Sequence, residues 1–326
     1  MVEPVSMAEL WRGPILESVH RGHAVVCGAD GSVEMAWGNP DAVILPRSSC
    51  KMIQALPLVE SGAATQAGLR SEHLALACAS HNGAAIHTDR VQTWLKDLGK
   101  KDEDLRCGPQ EPNDDAARIA LIKSDDSPCQ YHNNCSGKHC GFLTLGAHLN
   151  AGPDYNDPDH PVQMAVKDAF ERATEMPALG YGIDGCSAPN FATTVAGLAR
   201  AMAKFANAKP DSAHGQLTSA MVSHPELVAG EGRACTILMR ALENKVAVKT
   251  GAEGVFIAIL PELKKGIALK IMDGATRASE CALTAILVKL GVLSPDDPVA
   301  LRYTSAPVRN RRDIAAATLR TAPPLL

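Results

Sequence analysis

Lys245-Val246-Ala247-Val248-Lys249-Thr250-Gly251 is the stretch on which the fold turns. A short apolar run that closes on a lysine and breaks at a glycine reads as a strand. Two more apolar runs follow at 254–260 and 266–272, punctuated by Gly251, Pro261-Glu262 and Asp273-Gly274. Far upstream, residues 14–20, 22–28 and 33–37 also read as strands, with Asp30-Gly31 closing a hairpin between the second and third. Between these two β regions, apolar residues recur every three or four positions over 48–59, 85–98, 115–123, 136–150, 162–174, 193–206, 214–222 and 235–242, and a last helix is expected over 275–290. The pattern predicts an α/β (α+β) fold: one antiparallel sheet built from both termini, covered by the terminal helix, with a helical lobe inserted in the middle. Residues 1–47 and 245–295 would form the sheet lobe and 48–244 the helical lobe, while 296–326 carry too little pattern to assign.

A chain of 326 residues with 46% hydrophobic content buries a substantial core, as one large domain or two interleaved lobes. The net charge of −4 gives no reason to expect a nucleic-acid partner, and the basic stretch 309–312 reads as a solvated tail. No run approaches the ~20 apolar residues of a membrane span, and the first residues lack a secretory pattern. Ten cysteines are scattered through a chain too large to need disulfide stapling. They suit the reducing cytoplasm, where most thiols are buried and a cluster points to metal binding or catalysis.

Three strings carry candidate chemistry: Ser48-Ser49-Cys50-Lys51, Ser80-His81-Asn82 and Lys249-Thr250-Gly251. A serine one helical turn from a lysine shares a face with it, with Cβ atoms roughly 5–6 Å apart. At the start of the predicted helix the Ser48 amide has no internal partner, so it can hold a developing oxyanion. The neighbours Met52, Ile53, Ala55, Leu56 and Leu58 are apolar. Burial among them disfavours an ammonium, and buried lysines fall from ~10.4 by as much as roughly 3–5 pH units. Ser80 ends the run Leu74-Ala-Leu-Ala-Cys-Ala79 at a polar turn, which suits a cleft edge. Lys249 within an apolar strand needs a partner. Arg47 and Asp184 are candidates to pair with charged groups of a substrate.

A separate cluster, Asn133-Asn134-Cys135-Ser136-Gly137-Lys138-His139-Cys140, gathers two thiols, an amine and an imidazole, and Cys186 follows in Ile183-Asp184-Gly185-Cys186. Zinc prefers such donors. Spacing alone singles out Cys135, His139 and Cys140, with buried free thiols and a helix cap at Ser136 as the structural alternative.

Taken together, Arg47-Ser48-x-x-Lys51, Cys78-Ala-Ser80-His81, Asn134-Cys-Ser-Gly-Lys138-His139, Asp184-Gly-Cys186, His224-Pro225, Val228-Ala-Gly-Glu-Gly-Arg233 and Lys249-x-Gly-Ala resemble the rhizobial-type, class-three L-asparaginases. That family shares the architecture of the serine β-lactamases and glutaminases. The resemblance spans about residues 12–292 and lapses past Arg302. It implies hydrolysis of L-asparagine to L-aspartate and ammonia, with two pairs, Ser48 with Lys51 and Ser80 with Lys249, in one active site. It implies a zinc ion held by Cys135, Lys138 and Cys186, supporting substrate binding, with a lysine in place of His139 or Cys140. It also implies a homodimer. The alternatives are a glutaminase or β-lactamase-like serine hydrolase, and a non-catalytic zinc- or amino-acid-binding protein.

Overall fold

The computed structural model describes residues 2–326, which divide into two compact units. One takes in the chain up to Ser49, Thr193–Asn207 and Ile237–Leu326; the other takes in Cys50–Ala192 and Ala208–Thr236.

The first unit is an antiparallel sheet of eight strands. They are β1 (Val5–Arg12), β2 (Ile15–Cys27), β3 (Val33–Trp37), β4 (Ala247–Thr250), β5 (Val255–Leu260), β6 (Lys265–Ile271), β7 (Ser305–Arg309) and β8 (Ala315–Thr321). The order is β7-β8-β1-β2-β6-β5-β4, and β3 pairs with β2. The expected α+β class and the sheet drawn from both ends of the chain are what the structure contains. All six residues of β5 are buried, as a strand covered on both faces requires. The helices Val195–Ala206 and Thr276–Lys289 both pack on the sheet. Gly266 in β6 is glycine for a reason: a Cβ there would stand 2.1 Å from the Ala203 nitrogen and 2.3 Å from the Ala199 oxygen, so the helix Val195–Ala206 rests directly on strand backbone.

The expected strand boundaries need correction. The strands foreseen at 14–20 and 22–28 are one strand, β2. Arg21-Gly22 looks like a break but is a close approach, where a Cβ on Gly22 would meet the Lys270 oxygen at 2.3 Å. Moreover, β1 precedes β2, with register shifts between Ser6 and Ala8 and between Leu10 and Trp11 that blur its alternation. The tail left unassigned forms the helix Pro298–Thr304 and strands β7 and β8, and β8 pairs with β1 from Ala8↔Thr321 to Trp11↔Thr318.

The second unit is mainly helical. Its central helix Ser136–His148 is buried at every position from Ser136 to Gly146. Around it lie Ser71–Ala77, Ala85–Asp97 and Pro161–Thr174. The single helix expected over 48–59 is instead a 3₁₀ turn Arg47–Cys50 followed by the short helices Lys51–Gln54 and Leu56–Glu60. Pro57 accounts for the second interruption, since proline lacks an N–H and crowds the carbonyl four residues before it. Among the described residues no helix is long and apolar enough to cross a membrane.

Candidate active site

In the sheet unit, Ser48 is half-buried within the 3₁₀ turn, just after Arg47, whose φ of 54° is left-handed. The turn is fastened by the Ser49 hydroxyl, which donates to the Pro46 carbonyl at 2.7 Å, and by the Ser49 amide, which reaches the same oxygen at 3.2 Å. Gly251, just past β4, presses against this turn. A Cβ there would lie 2.6 Å from the Pro46 oxygen and 3.1 Å from the Ser49 nitrogen. The glycine of Lys-Thr-Gly therefore lets the end of β4 pack against the segment that carries Ser48. Lys249 is fully buried on β4, at the edge of the sheet, and its Nζ donates to the Thr250 carbonyl at 2.8 Å.

In the helical unit, Lys51 is 1% exposed although it is a lysine. Its Nζ donates to the Ala79 carbonyl, to Ser80 Oγ at 3.0 Å and to Cys135 Sγ at 3.1 Å. Ser80 follows the helix Ser71–Ala77, and its own amide donates to the Val228 carbonyl at 2.9 Å. The next residue, His81, donates from Nε2 to Ser136 Oγ at 2.9 Å, and Ser136 passes its hydrogen to the Tyr131 carbonyl. Gly137 allows all this: a Cβ would meet the Leu76 oxygen at 2.4 Å, so the central helix lies flush against Ser71–Ala77. The sequence pairs Lys51 with Ser48 and Ser80 with Lys249. Within the helical unit, the serine hydroxyl bonded to the Lys51 amine is that of Ser80.

Cys135, Lys138 and Cys186, the three zinc ligands that the resemblance implies, come together in this unit. Lys138 Nζ is 3.0 Å from Cys186 Sγ, and the thiol of Cys135, which Cys186 influences electrostatically, donates to Asn134 Oδ1 at 2.8 Å. All three are buried. The Cys135 thiol and the adjacent Lys138 ammonium hold Cys186 well below the usual thiol range against the opposing effect of burial. Cys135, the partner that keeps the proton, is pushed well above that range. For Lys138 burial works against the charged form, but the two thiols outweigh it and the ammonium is favoured. Two sulfurs and one amine nitrogen around one point are a donor set suited to zinc, provided the amine sheds its proton. Among the described residues no group of three His, Cys, Asp or Glu side chains could hold a metal ion.

The spacing-based candidates His139 and Cys140 behave differently from that reading. Cys140 lies in the core near Cys107, and burial pushes its thiol well up. His139 turns its Nδ1 to the Tyr155 hydroxyl at 2.9 Å, and burial lowers it to about 4, so the ring is neutral near pH 7. Asp184 lies in the turn that presents Cys186, with its amide bonded to the Ala188 carbonyl and its Oδ1 accepting the Gly185 amide at 2.7 Å. Its charge is felt at both Lys138 and Cys50. Asn190, which donates to Cys50 Sγ, and Tyr155 carried no sequence signal, because neither sits in a motif or near its partner in the chain.

Several solved structures are similar to the chain. A β-lactamase from Mycobacterium bovis is 13% identical, covers 83% of this chain and 95% of its own, and has a TM-score of 0.45. The native form of Mglu is 13% identical, covers 91% of this chain and 70% of its own, and has a TM-score of 0.48. No curated protein sequence matches. The L-asparaginase II family profile matches residues 8–321, from β1 to the end of β8. With nearly its whole length inside that match, the chain belongs to the L-asparaginase II family and is an amidohydrolase, an L-asparaginase.

Proposed function

We propose that this L-asparaginase cleaves the side-chain amide of L-asparagine through serine–lysine chemistry, using Ser48, Lys51, Ser80 and Lys249. The observation that carries the reading is the hydrogen bond of 3.0 Å between the buried Lys51 amine and Ser80 Oγ. A lysine spent on a catalytic hydroxyl in a dry site, rather than in solvent, is what an activated alcohol requires. Ser48 attacks the amide carbonyl and gives its proton to Lys51. The backbone amides of Ser48 and of the Lys-Thr-Gly segment hold the oxyanion. The C–N bond breaks, nitrogen leaves as ammonia with the transferred proton, and a β-aspartyl ester of serine remains. Water then hydrolyses the ester, with Ser80 and Lys249 relaying protons. Arg47 and Asp184 hold the α-carboxylate and α-ammonium of the substrate.

In the same reading Cys135, Lys138 and Cys186 hold a zinc ion, which supplies a fixed positive charge for substrate binding. The protein acts in the cytoplasm, which suits its free cysteines, and as a homodimer. The test is ammonia release from asparagine and glutamine in parallel, with and without added zinc. Turnover of asparagine that vanishes in Ser48→Ala supports the assignment; substantial residual turnover excludes Ser48 as nucleophile.

The Lys51–Ser80 bond also favours a second reading, in which Ser80 is the nucleophile and Ser48 the relay. Rapid acid quench followed by peptide mass mapping of the aspartyl ester distinguishes the two.

A further inference from the structure

His81 follows Ser80 directly, and both nitrogens of its ring are engaged. The ring is fully buried within the helical unit. Its Nδ1 is 3.2 Å from the Gly83 amide, and its Nε2 is 2.9 Å from Ser136 Oγ. An amide can only donate, so Nδ1 accepts and carries no hydrogen. The Ser136 hydroxyl gives its own hydrogen to the Tyr131 carbonyl at 3.0 Å, because a carbonyl can only accept. The lone pair left on Ser136 faces Nε2, which therefore holds the ring hydrogen. Moving that hydrogen to Nδ1 would set two donors face to face in a buried site. His87 fixes the plane of the ring: the two stack at 4.8 Å between centroids and 8° from parallel, and His87 Nε2 donates to the Glu226 carbonyl at 2.8 Å.

The His81–Ser136 bond joins two segments that both serve Lys51. Ser80, whose Oγ is 3.0 Å from Lys51 Nζ, comes just before His81; Cys135, whose Sγ is 3.1 Å from the same nitrogen, comes just before Ser136. A main-chain bond runs alongside, from the His81 amide to the Asn134 carbonyl at 3.2 Å. The ring extends that tie to Ser136, the first residue of the central helix. A neutral imidazole suits the place, since it offers one donor and one acceptor at a fixed separation in a rigid plane.

We propose that His81 is a positioning residue for the reaction: its Nε2–H bond to Ser136 locks the turn that bears Ser80 to the start of the helix that follows Cys135, and so holds Ser80 Oγ on the Lys51 amine. Its role rests on the serine–lysine reading and adds a residue that acts through the turn. Displacing a reacting group by about 1 Å costs on the order of 10²-fold in rate, so a tie of this kind bears on turnover more than on substrate binding.

The test is kcat and KM for asparagine in the native protein, His81→Phe, His81→Gln, Ser136→Ala and the double variant of His81→Phe with Ser136→Ala, with urea unfolding confirming that each is folded. His81→Phe and Ser136→Ala are each expected to lower kcat by roughly 10–100-fold while KM stays within a few-fold of native. The double variant should fall no further than the worse single variant, because both changes remove one bond. His81→Gln, whose amide nitrogen stands as many bonds from Cβ as Nε2 does, should recover most of the loss. Native kcat in Ser136→Ala, losses that multiply in the double variant, or a His81→Gln as slow as His81→Phe overturns the proposal. Should His81→Phe fail to fold, Ser136→Ala, which removes a single oxygen, decides in its place. Long-range ¹H–¹⁵N correlation spectroscopy of the ¹⁵N-histidine-labelled protein, with the His81 signals identified by their loss in His81→Gln, should show the hydrogen on Nε2; a hydrogen on Nδ1 overturns the bond itself. Native turnover in Ser80→Ala would defeat the serine–lysine reading and the positioning role with it, whereas native kcat in Ser136→Ala beside an inactive Ser80→Ala would defeat the positioning role alone.

Discussion

Lys51 and Ser80 are hydrogen-bonded at 3.0 Å although neither is exposed to more than a tenth of its surface. In the proposed mechanism this buried amine and buried hydroxyl form a proton-transfer unit that solvent does not interrupt. Replacing Lys51 with methionine keeps the length and apolar stem but removes every proton. Turnover is expected to fall by at least roughly 10²–10⁴-fold, the usual worth of a positioned proton carrier. Ser80→Ala should fall in the same range. Steady-state ammonia release measures both, and a loss under tenfold in Lys51→Met would contradict the assignment.

Ser48 is half-buried in a turn fastened by Ser49, not by its own side chain. Ser48→Ala should therefore abolish nearly all turnover while shifting unfolding by no more than about 0.5 kcal/mol. Urea unfolding beside the activity assay separates the two effects.

Gly251 has no room for a methyl group against Pro46 and Ser49. Gly251→Ala should displace the Ser48 turn, costing about 1–3 kcal/mol through overpacking and lowering kcat far more than stability alone explains. Denaturant midpoints and kcat measured below the unfolding range give the answer.

His81 and His87 stack at 4.8 Å between ring centroids and are both buried. Burial lowers both, and His81 also feels His87, Lys51, His132 and Arg233, all disfavouring another positive charge. The folded rings stay neutral at pH values where the unfolded chain, with histidine near 6.5, takes up protons. The unfolded state then binds more protons, so this stabilisation is present above about pH 6.5 and is lost as the pH falls, by up to roughly 1.4 kcal/mol per pH unit for each ring. Unfolding free energies at pH 7.5, 6.5 and 5.5 should decline; a flat profile would contradict the burial of these rings.

Zinc at a hundred times its dissociation constant should stabilise the folded protein by about 2.7 kcal/mol. The rise in Tm should disappear in Cys186→Ala and reverse with a chelator. An equal rise in Cys186→Ala would place the ion elsewhere.

Periodicity carried much of the architecture. The Asp30-Gly31 hairpin is there, between β2 and β3, because a turn of this kind is local and Gly31 takes its φ of 79° without strain. The long amphipathic helices and the strand that bears Lys249 are also where local pattern put them. Where an element depends on a distant partner, local pattern misleads. Gly22 reads as a chain break until Lys270 is placed above it, and β8, rich in Ala and Thr, acquires meaning only beside β1. The candidate site divides in the same way. Residue types and motifs single out the serines, lysines and thiols. That Lys51 bonds Ser80, or that His139 meets the Tyr155 hydroxyl, depends on contacts between residues far apart in the chain, which no spacing rule encodes.

The sheet unites strands from opposite ends of the sequence, with Cys27 pairing with Gly266 and Ala8 with Thr321. During synthesis, β1 and β2 leave the ribosome long before β6 and β8, which pair with them, exist. Most of the helical unit is made while those two strands still offer unsatisfied hydrogen-bonding edges. The nascent chain is therefore most prone to aggregate through β1 and β2, and chaperone demand should peak before β6 emerges.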